Sequence, residues 1–142
     1  MATINPYLNF NGKTEEAFNL YKKIFGGEFV TLQRIKDTPM AKDFPANEQN
    51  KVMHVALPIG KNILMASDIL ESMGHKLSNG NNYSISVNAT SKEEAYSIFN
   101  QLAEGGTVTT PMKVEFWGAL FGMVNDKFGI QWMVSFDEKQ PG

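Results

Sequence analysis

The sequence predicts an α+β fold made of two tandem β-α-β-β-β units. Three observations lead to it. A helical motif occurs twice, as Glu15-Glu16-Ala17-Phe18-x-Leu20-Tyr21 and again as Glu93-Glu94-Ala95-Tyr96-x-Ile98-Phe99. Each copy runs into a glycine pair, Gly26-Gly27 or Gly105-Gly106, and then into a β-rich segment. The elements around the two copies also follow one order. A repeat of about half the chain length means one supersecondary unit used twice.

The first unit is read from its periodicities. Residues 4–10 form a strand with Ile4, Leu8 and Phe10 on one face and Asn5, Tyr7 and Asn9 on the other. Asn11-Gly12 ends it. Ala17, Leu20, Tyr21, Ile24 and Phe25 then fall at helical spacing, which predicts an amphipathic helix. Glu15 and Glu16 suit the positive end of its dipole, and Gly26 or Gly27 supplies a left-handed stop. Residues 28–35 are a strand. Residues 51–59 and 62–67 form a hairpin across Gly60-Lys61.

The second unit repeats this order. Tyr83, Ile85 and Val87 alternate with Ser84, Ser86 and Asn88 in a half-buried strand. Ser91-x-x-Glu94 is a capping box that opens a helix carrying Ala95, Ile98, Phe99, Leu102 and Ala103 on one face. Strands follow at 107–114, 118–125 and 130–136, with Asp126-Lys127-Phe128-Gly129 as the last turn. The repeats therefore run over about 3–68 and 82–136, within one domain spanning 1–142, with residues 69–81 as the linker. Residues 36–50 lie outside the repeat. That polar connection, with Pro39 and Pro45, exceeds the usual loop length and suits a lid, a surface loop or a dimer contact.

Composition limits the function. The chain has 142 residues and no cysteine, which excludes disulfides, thiolate metal sites and cysteine nucleophiles. A formal net charge of −2 argues against nucleic acid as the main partner. No apolar run approaches the roughly 18 residues of a membrane span, and no signal peptide is visible. The expected setting is the cytoplasm.

Several motifs in sequence order then carry a resemblance. Pro6-Tyr7-Leu8-x-Phe10, Glu15-Glu16-Ala17-Phe18-x-x-Tyr21 and Phe25-Gly26-Gly27 come first. His54-x-x-Leu57-x-Ile59-Gly60, Leu64-Met65-x-Ser67-Asp68, Trp117-Gly118 and Asp126-Lys127-Phe128-Gly129-Ile130-x-Trp132 follow. From about residue 3 to 136 the chain resembles the vicinal oxygen chelate superfamily (glyoxalase, bleomycin resistance and dioxygenase proteins). Within it, the chain is similar to the PhnB-like branch that carries a 3-demethylubiquinone methyltransferase label. The resemblance implies curved mixed sheets around a groove, helices outside, a site inside the curved sheets, and a homodimer. No glycine-rich turn between a strand and a helix accompanies the label, since both glycine pairs follow helices.

The superfamily's usual chemistry needs a divalent metal held by His, Glu or Gln near the first and last strands of each unit. At those positions this chain offers Asn5 or Pro6, Tyr83 or Ser84, Met133 with Gln131 nearby, and Asp68. Such a set does not make a metal site, so neither a metal nor a cofactor is expected. His54 is the best acid-base candidate. Pairing the hairpin about Gly60-Lys61 sets it opposite Ser67, on the face of Ala56, Ile63 and Met65. Asp68 falls on the other face, so strand parity does not support a His-Asp pair. His75 is expected to be solvated.

Ten Phe, four Tyr, two Trp and eight Met can fill curved sheets or line an apolar pocket with a few polar groups. Phe121 and one tryptophan are expected mainly in the core, with Phe116 and Trp117 at the mouth of a cavity. The candidate ligand-binding residues are Tyr7, Asn9, Met65, Ser67, Phe116, Trp117 and Trp132. The expected function is small-molecule binding. An enzyme (a lyase, isomerase or hydrolase) using His54, or a metal-dependent enzyme of the superfamily, is the alternative.

Overall fold

A computed structural model of the chain describes residues 2–138. The chain divides into two compact units, Met1–Ser78 and Asn79–Gly142, and the division falls inside the segment expected to join the repeats. The first unit contains β1 (Tyr7–Phe10), α1 (Thr14–Phe25), β2 (Thr31–Arg34), β3 (Val52–Ile59) and β4 (Asn62–Asp68). The second contains β5 (Ile85–Asn88), α2 (Lys92–Ala103), β6 (Thr107–Val114), β7 (Leu120–Asn125) and β8 (Gln131–Phe136). Both are β-α-β-β-β. Their sheets share one topology, β1-β4-β3-β2 and β5-β8-β7-β6. The first and last strand of each unit pair in parallel and the other neighbours are antiparallel.

Strand alternation sorts the first sheet into two faces. Leu8, Phe10, Val55, Leu57, Leu64 and Ala66 are buried and take α1 against them. The buried stripe of α1 is Thr14, Ala17, Phe18 and Tyr21. This corrects the expected stripe, because Leu20, Ile24 and Phe25 are only half-buried. Both sets have helical spacing, and the aromatics of the core favour the observed one. Phe18 meets Phe10 edge-on at 6.4 Å and Tyr21 at 5.4 Å. The Gly26 N–H closes the helix on Lys22 O at 2.8 Å, with φ at +82°.

In the first unit two strands begin three residues later than expected. β1 starts at Tyr7, so Ile4 lies outside the core at 89% exposure. Pro6 has no N–H for a ladder, and Asn5 Oδ1 instead accepts the Ile63 N–H at 2.9 Å. β2 covers only Thr31–Arg34, so the Glu28–Val30 part of the expected strand is missing from it. The short β2 suits Pro58, which sits on β3 beyond the last β2 pair, where no donor is needed. The hairpin register pairs Ala56 with Met65 and Leu57 with Leu64, as the pairing about Gly60-Lys61 requires.

In the second unit α2 buries Ala95, Ile98, Phe99 and Leu102 against β7 and β8. Ser91 Oγ accepts the Glu94 N–H at 3.0 Å. The return arm of the capping box goes to a neighbour, with Thr90 N–H donating to Glu94 Oε1 at 2.8 Å. A Cβ at Gly122 would stand 2.8 Å from Phe99 Cε2, so that glycine lets β7 approach the helix closely. Gly118 instead serves the β6–β7 turn with φ at +96°.

Residues 35–50 contain three short 3₁₀ turns. Gln49 Nε2 ties them together by donating to Ala41 O at 2.7 Å and Phe44 O at 2.9 Å. The buried Glu48 carboxylate accepts the backbone and side-chain donors of Ser72. After β4, still within the first unit, Ile69 and Leu70 are buried and Glu71–Met73 makes a 3₁₀ turn. His75 is exposed, as expected, and its Nδ1 accepts the Leu70 N–H at 3.1 Å.

Candidate functional site

The face of the first sheet opposite α1 gathers most of the sequence candidates. Pairing registers place residues in rows across its four strands. One row runs Tyr7, Met65, Ala56, Thr31. The next pairs Asn9 with Ser67 on one side and His54 with Gln33 on the other. The hairpin register carries Ser67 opposite His54 and joins the two pairs. Tyr7, Asn9, His54, Met65 and Ser67 thus share one face, and none of the five side chains is fully buried. Gln33 belongs to the same row. The sequence located its strand without a register, so nothing assigned it a face.

Close contacts organise this row. Tyr7 Oη lies 3.4 Å from His54 Nδ1, and the two rings stack with centroids 5.8 Å apart and 27° between planes. Ser67 Oγ donates to Asn9 Oδ1 at 3.5 Å. A phenol, an imidazole, a hydroxyl and two amides therefore stand beside the apolar Met65 and Ala56. Such a surface can orient a ligand through neutral hydrogen bonds and grip an apolar portion at the same time.

The second unit repeats the frame and changes its content. On the face opposite α2, Asn88 pairs with Ser135, Ser135 with Phe121, and Phe121 with Lys113. Ser135 Oγ donates to Asn88 Oδ1 at 3.0 Å, so the Asn-Ser pair of the first unit recurs at the same place. The adjacent row is Ser86, Met133, Met123, Thr110. Phe116 and Trp117 sit in the β6–β7 turn at 97% and 52% exposure. Trp117 packs edge-on against Phe116 at 4.9 Å and Phe121 at 5.8 Å.

Trp132 must leave the set of candidate ligand contacts. It is 1% exposed on the helix-facing side of β8, and its Nε1 donates to Asp126 Oδ2 at 2.9 Å. Strand parity decides this, since Trp132 pairs with Val124 and Ile85, both on the core side. It is the tryptophan expected in the core, whereas Phe121 is only half-buried.

The residues at the implied metal positions do not fit a metal. Both Asp68 oxygens are committed to the protein. Oδ1 accepts Thr14 Oγ1 at 2.7 Å and Thr14 N–H at 3.2 Å, while Oδ2 accepts Val52 N–H at 2.9 Å. Asp68 also points away from the His54 face, as parity requires. Asn5 Oδ1 is used by Ile63, and Gln131 Nε2 donates to Gly80 O at 2.9 Å. Pro6 and Met133 bring no hard donor. Among the described residues no three His, Cys, Asp or Glu side chains come together in a way that could hold an ion.

The resolved shifts in ionisation belong to the scaffold. The hydrogen bond from Arg34 Nη2 to Glu15 Oε2, at 2.6 Å, lowers the Glu15 carboxyl below its ordinary range and raises Arg34. The side-chain hydrogen bond from Ser72 lowers Glu48 in the same way.

Two four-stranded mixed sheets from tandem β-α-β-β-β units match the glyoxalase-like α+β fold. A glyoxalase-related enzyme from Fulvimarina pelagi shares that fold, with a TM-score of 0.62 at 17% identity over 96% of this chain and 89% of the other. The chain belongs to the 3-demethylubiquinone-9 3-methyltransferase family, the PhnB-like group, whose model matches residues 2–135. Protein PA1353 from Pseudomonas aeruginosa is 41% identical, with a TM-score of 0.86 over 96% of this chain and 98% of that one. A putative 3-demethylubiquinone-9 3-methyltransferase, PhnB protein, from Bacillus cereus is 26% identical, with a TM-score of 0.77 over 95% and 99%.

Proposed function

We propose that this chain is a small-molecule-binding protein that works without a metal or cofactor. Its ligand lies on the Tyr7, Asn9, His54, Met65 and Ser67 face of the first unit. The observation that supports this reading is the make-up of that face. Several neutral donors and acceptors are held beside apolar side chains, and among the described residues no three His, Cys, Asp or Glu side chains gather there. The family name speaks of methyl transfer, but no glycine-rich turn between a strand and a helix accompanies it here. Gly26 (φ +82°) and Gly105 (φ +77°) follow helices. The reading extends to a cytoplasmic homodimer.

Thermal-shift screening of the purified protein against neutral aromatic and amphipathic metabolites tests it. At least one compound is expected to raise the melting temperature, with the gain lost in His54→Ala and Asn9→Ala. No stabilisation across a broad library would defeat the proposal. Light scattering of the same sample measures the oligomeric state.

The Tyr7–His54 contact favours a second reading, in which His54 acts as acid or base with Tyr7 beside it. Turnover of a bound compound that persists in EDTA and disappears in both His54→Ala and Tyr7→Phe would establish it. Full turnover by His54→Ala would remove it.

A further inference from the structure

The two units present the same frame with different chemistry, and the difference on the second is directional. Asn9–Ser67 and Asn88–Ser135 are equivalent, as are Met65 and Met133, and Thr31 and Thr110. Where the first unit has His54, Gln33 and Ala56, the second has Phe121, Lys113 and Met123. Ser86 stands where the first unit has Tyr7, so the exchange removes the phenol and the imidazole and adds a phenyl ring, a thioether and a cation.

Each added group has a defined place. Lys113 is directly paired with Phe121 across β6 and β7, so the two side chains leave the sheet on the same face. It is exposed and has no salt-bridge partner among the described residues. Met123 pairs with Met133, giving two adjacent flexible thioethers that adapt to a flat apolar body. Trp117 stands edge-on to Phe121, and half of its surface is open. The Asn88–Ser135 pair closes the other end of the row with neutral polar groups.

We infer that this face of the second unit is a separate binding site for a small aromatic anion. The flat portion lies on Phe121, Met123 and Met133, against Trp117. A sulfonate, carboxylate or phosphate group sits at Lys113. The site uses no residue of the His54 face.

Anilinonaphthalenesulfonate, a fluorescent aromatic anion, serves as the probe, with neutral N-phenylnaphthylamine as its uncharged counterpart. The folded protein is titrated with each, reading probe emission and energy transfer from tryptophan. The anion is expected to bind more tightly than the neutral compound. Lys113→Gln should weaken the anion about tenfold, as expected for loss of one charge-assisted contact, and leave the neutral compound unchanged. Trp117→Phe should reduce the energy transfer, leaving the part that comes from Trp132 on the other side of the same sheet, and His54→Ala should leave the anion titration as it was. Raising the salt to about 1 M, where the screening length falls to about 3 Å, should weaken only the anion.

Equal affinity for both probes, or an unchanged anion affinity in Lys113→Gln, would overturn the inference. Loss of binding in His54→Ala instead would place the probe on the first unit and also overturn it, while leaving the proposed function intact. Met123→Glu is a second variant at the apolar end. If Lys113→Gln folds poorly, exclusion of the anion by Met123→Glu at an unchanged melting temperature carries the test, and undiminished binding rejects it.

Discussion

Thr14 Oγ1 donates to Asp68 Oδ1 at 2.7 Å, joining the first turn of α1 to the end of β4. The same carboxylate also takes the Thr14 and Val52 amides, so one buried side chain fastens a helix and two strands. Asp68→Ala leaves three donors without their acceptor in a closed environment. The expected loss is about 3–5 kcal/mol, since each buried donor left unpaired costs about 1–3 kcal/mol. Asp68→Asn keeps the shape but turns one acceptor into a donor that faces an N–H, and should cost about 1–3 kcal/mol. Thr14→Val should cost about 1–2 kcal/mol. Urea unfolding of the three variants measures the order, and a neutral Asp68→Ala would refute this account.

Acid should weaken the first unit through its paired carboxylates. Glu15 has its folded-state pKa lowered by Arg34 from an ordinary value near 4.5. A lowered carboxylate contributes stability above its unfolded pKa and loses it as pH falls through the folded value. The Glu15 side chain is 43% exposed, so the pair is worth only about 0.2–1 kcal/mol at neutral pH. Glu15→Gln should therefore lower stability slightly at pH 7 and match the parent protein in strong acid. Glu48 is lowered by Ser72 and follows the same sign. Unfolding curves of Glu15→Gln and Glu48→Gln over the acid range check both, and a gap that widens in acid would contradict the assignment.

The two tryptophans should report different environments. Trp132 is closed in the second unit's core and bonded to Asp126, whereas Trp117 is open to solvent. Trp132→Phe removes the indole N–H donor and part of the core volume, with an expected cost of about 2–4 kcal/mol. Trp117→Phe should fall within about 0.5 kcal/mol of the parent, as surface changes do. Acrylamide should quench Trp117 readily and Trp132 poorly. Equal quenching of the two single-tryptophan proteins would count against the assigned burial.

The duplication was legible because it is written in spacing, and spacing determines elements before any contact forms. The turn at Gly60-Lys61 set the β3–β4 register, and with it the shared face of His54, Met65 and Ser67 and the opposite orientation of Asp68. Other features depend on partners distant in sequence. Gln33 and Lys113 joined their rows only through the registers of β2 and β6, which no short turn specifies. Phe18 displaced Leu20 from the helix stripe because the sheet chose between two overlapping stripes of equal spacing. Trp132 looked like a ligand contact as long as the aromatics were counted without the parity of β8. Ile4 had the right alternation for the core, but Pro6 ended the ladder before reaching it.

Gly122 and Gly106 should respond differently to an added methyl group, because different atoms stand in its way. At Gly122 the new Cβ would lie 2.7 Å from Met112 Sδ and 2.8 Å from Phe99 Cε2. Methionine is flexible and can retreat, but the phenyl ring is packed between α2 and the sheet, so overpacking of about 1–3 kcal/mol is expected for Gly122→Ala. At Gly106 the methyl would stand 2.2 Å from Asn125 O at the end of β7 and 3.0 Å from Asp126 Cα just beyond it, both backbone atoms. Neither can withdraw without moving β7, so Gly106→Ala should cost more than Gly122→Ala. Met112→Ala opens space beside Gly122 only. Combined with Gly122→Ala, it should lose less stability than the sum of the two single changes, the non-additivity expected of touching residues. Combined with Gly106→Ala, it should simply add. Additive behaviour in both pairs, measured by urea unfolding, would show that Met112 does not relieve the contact at Gly122.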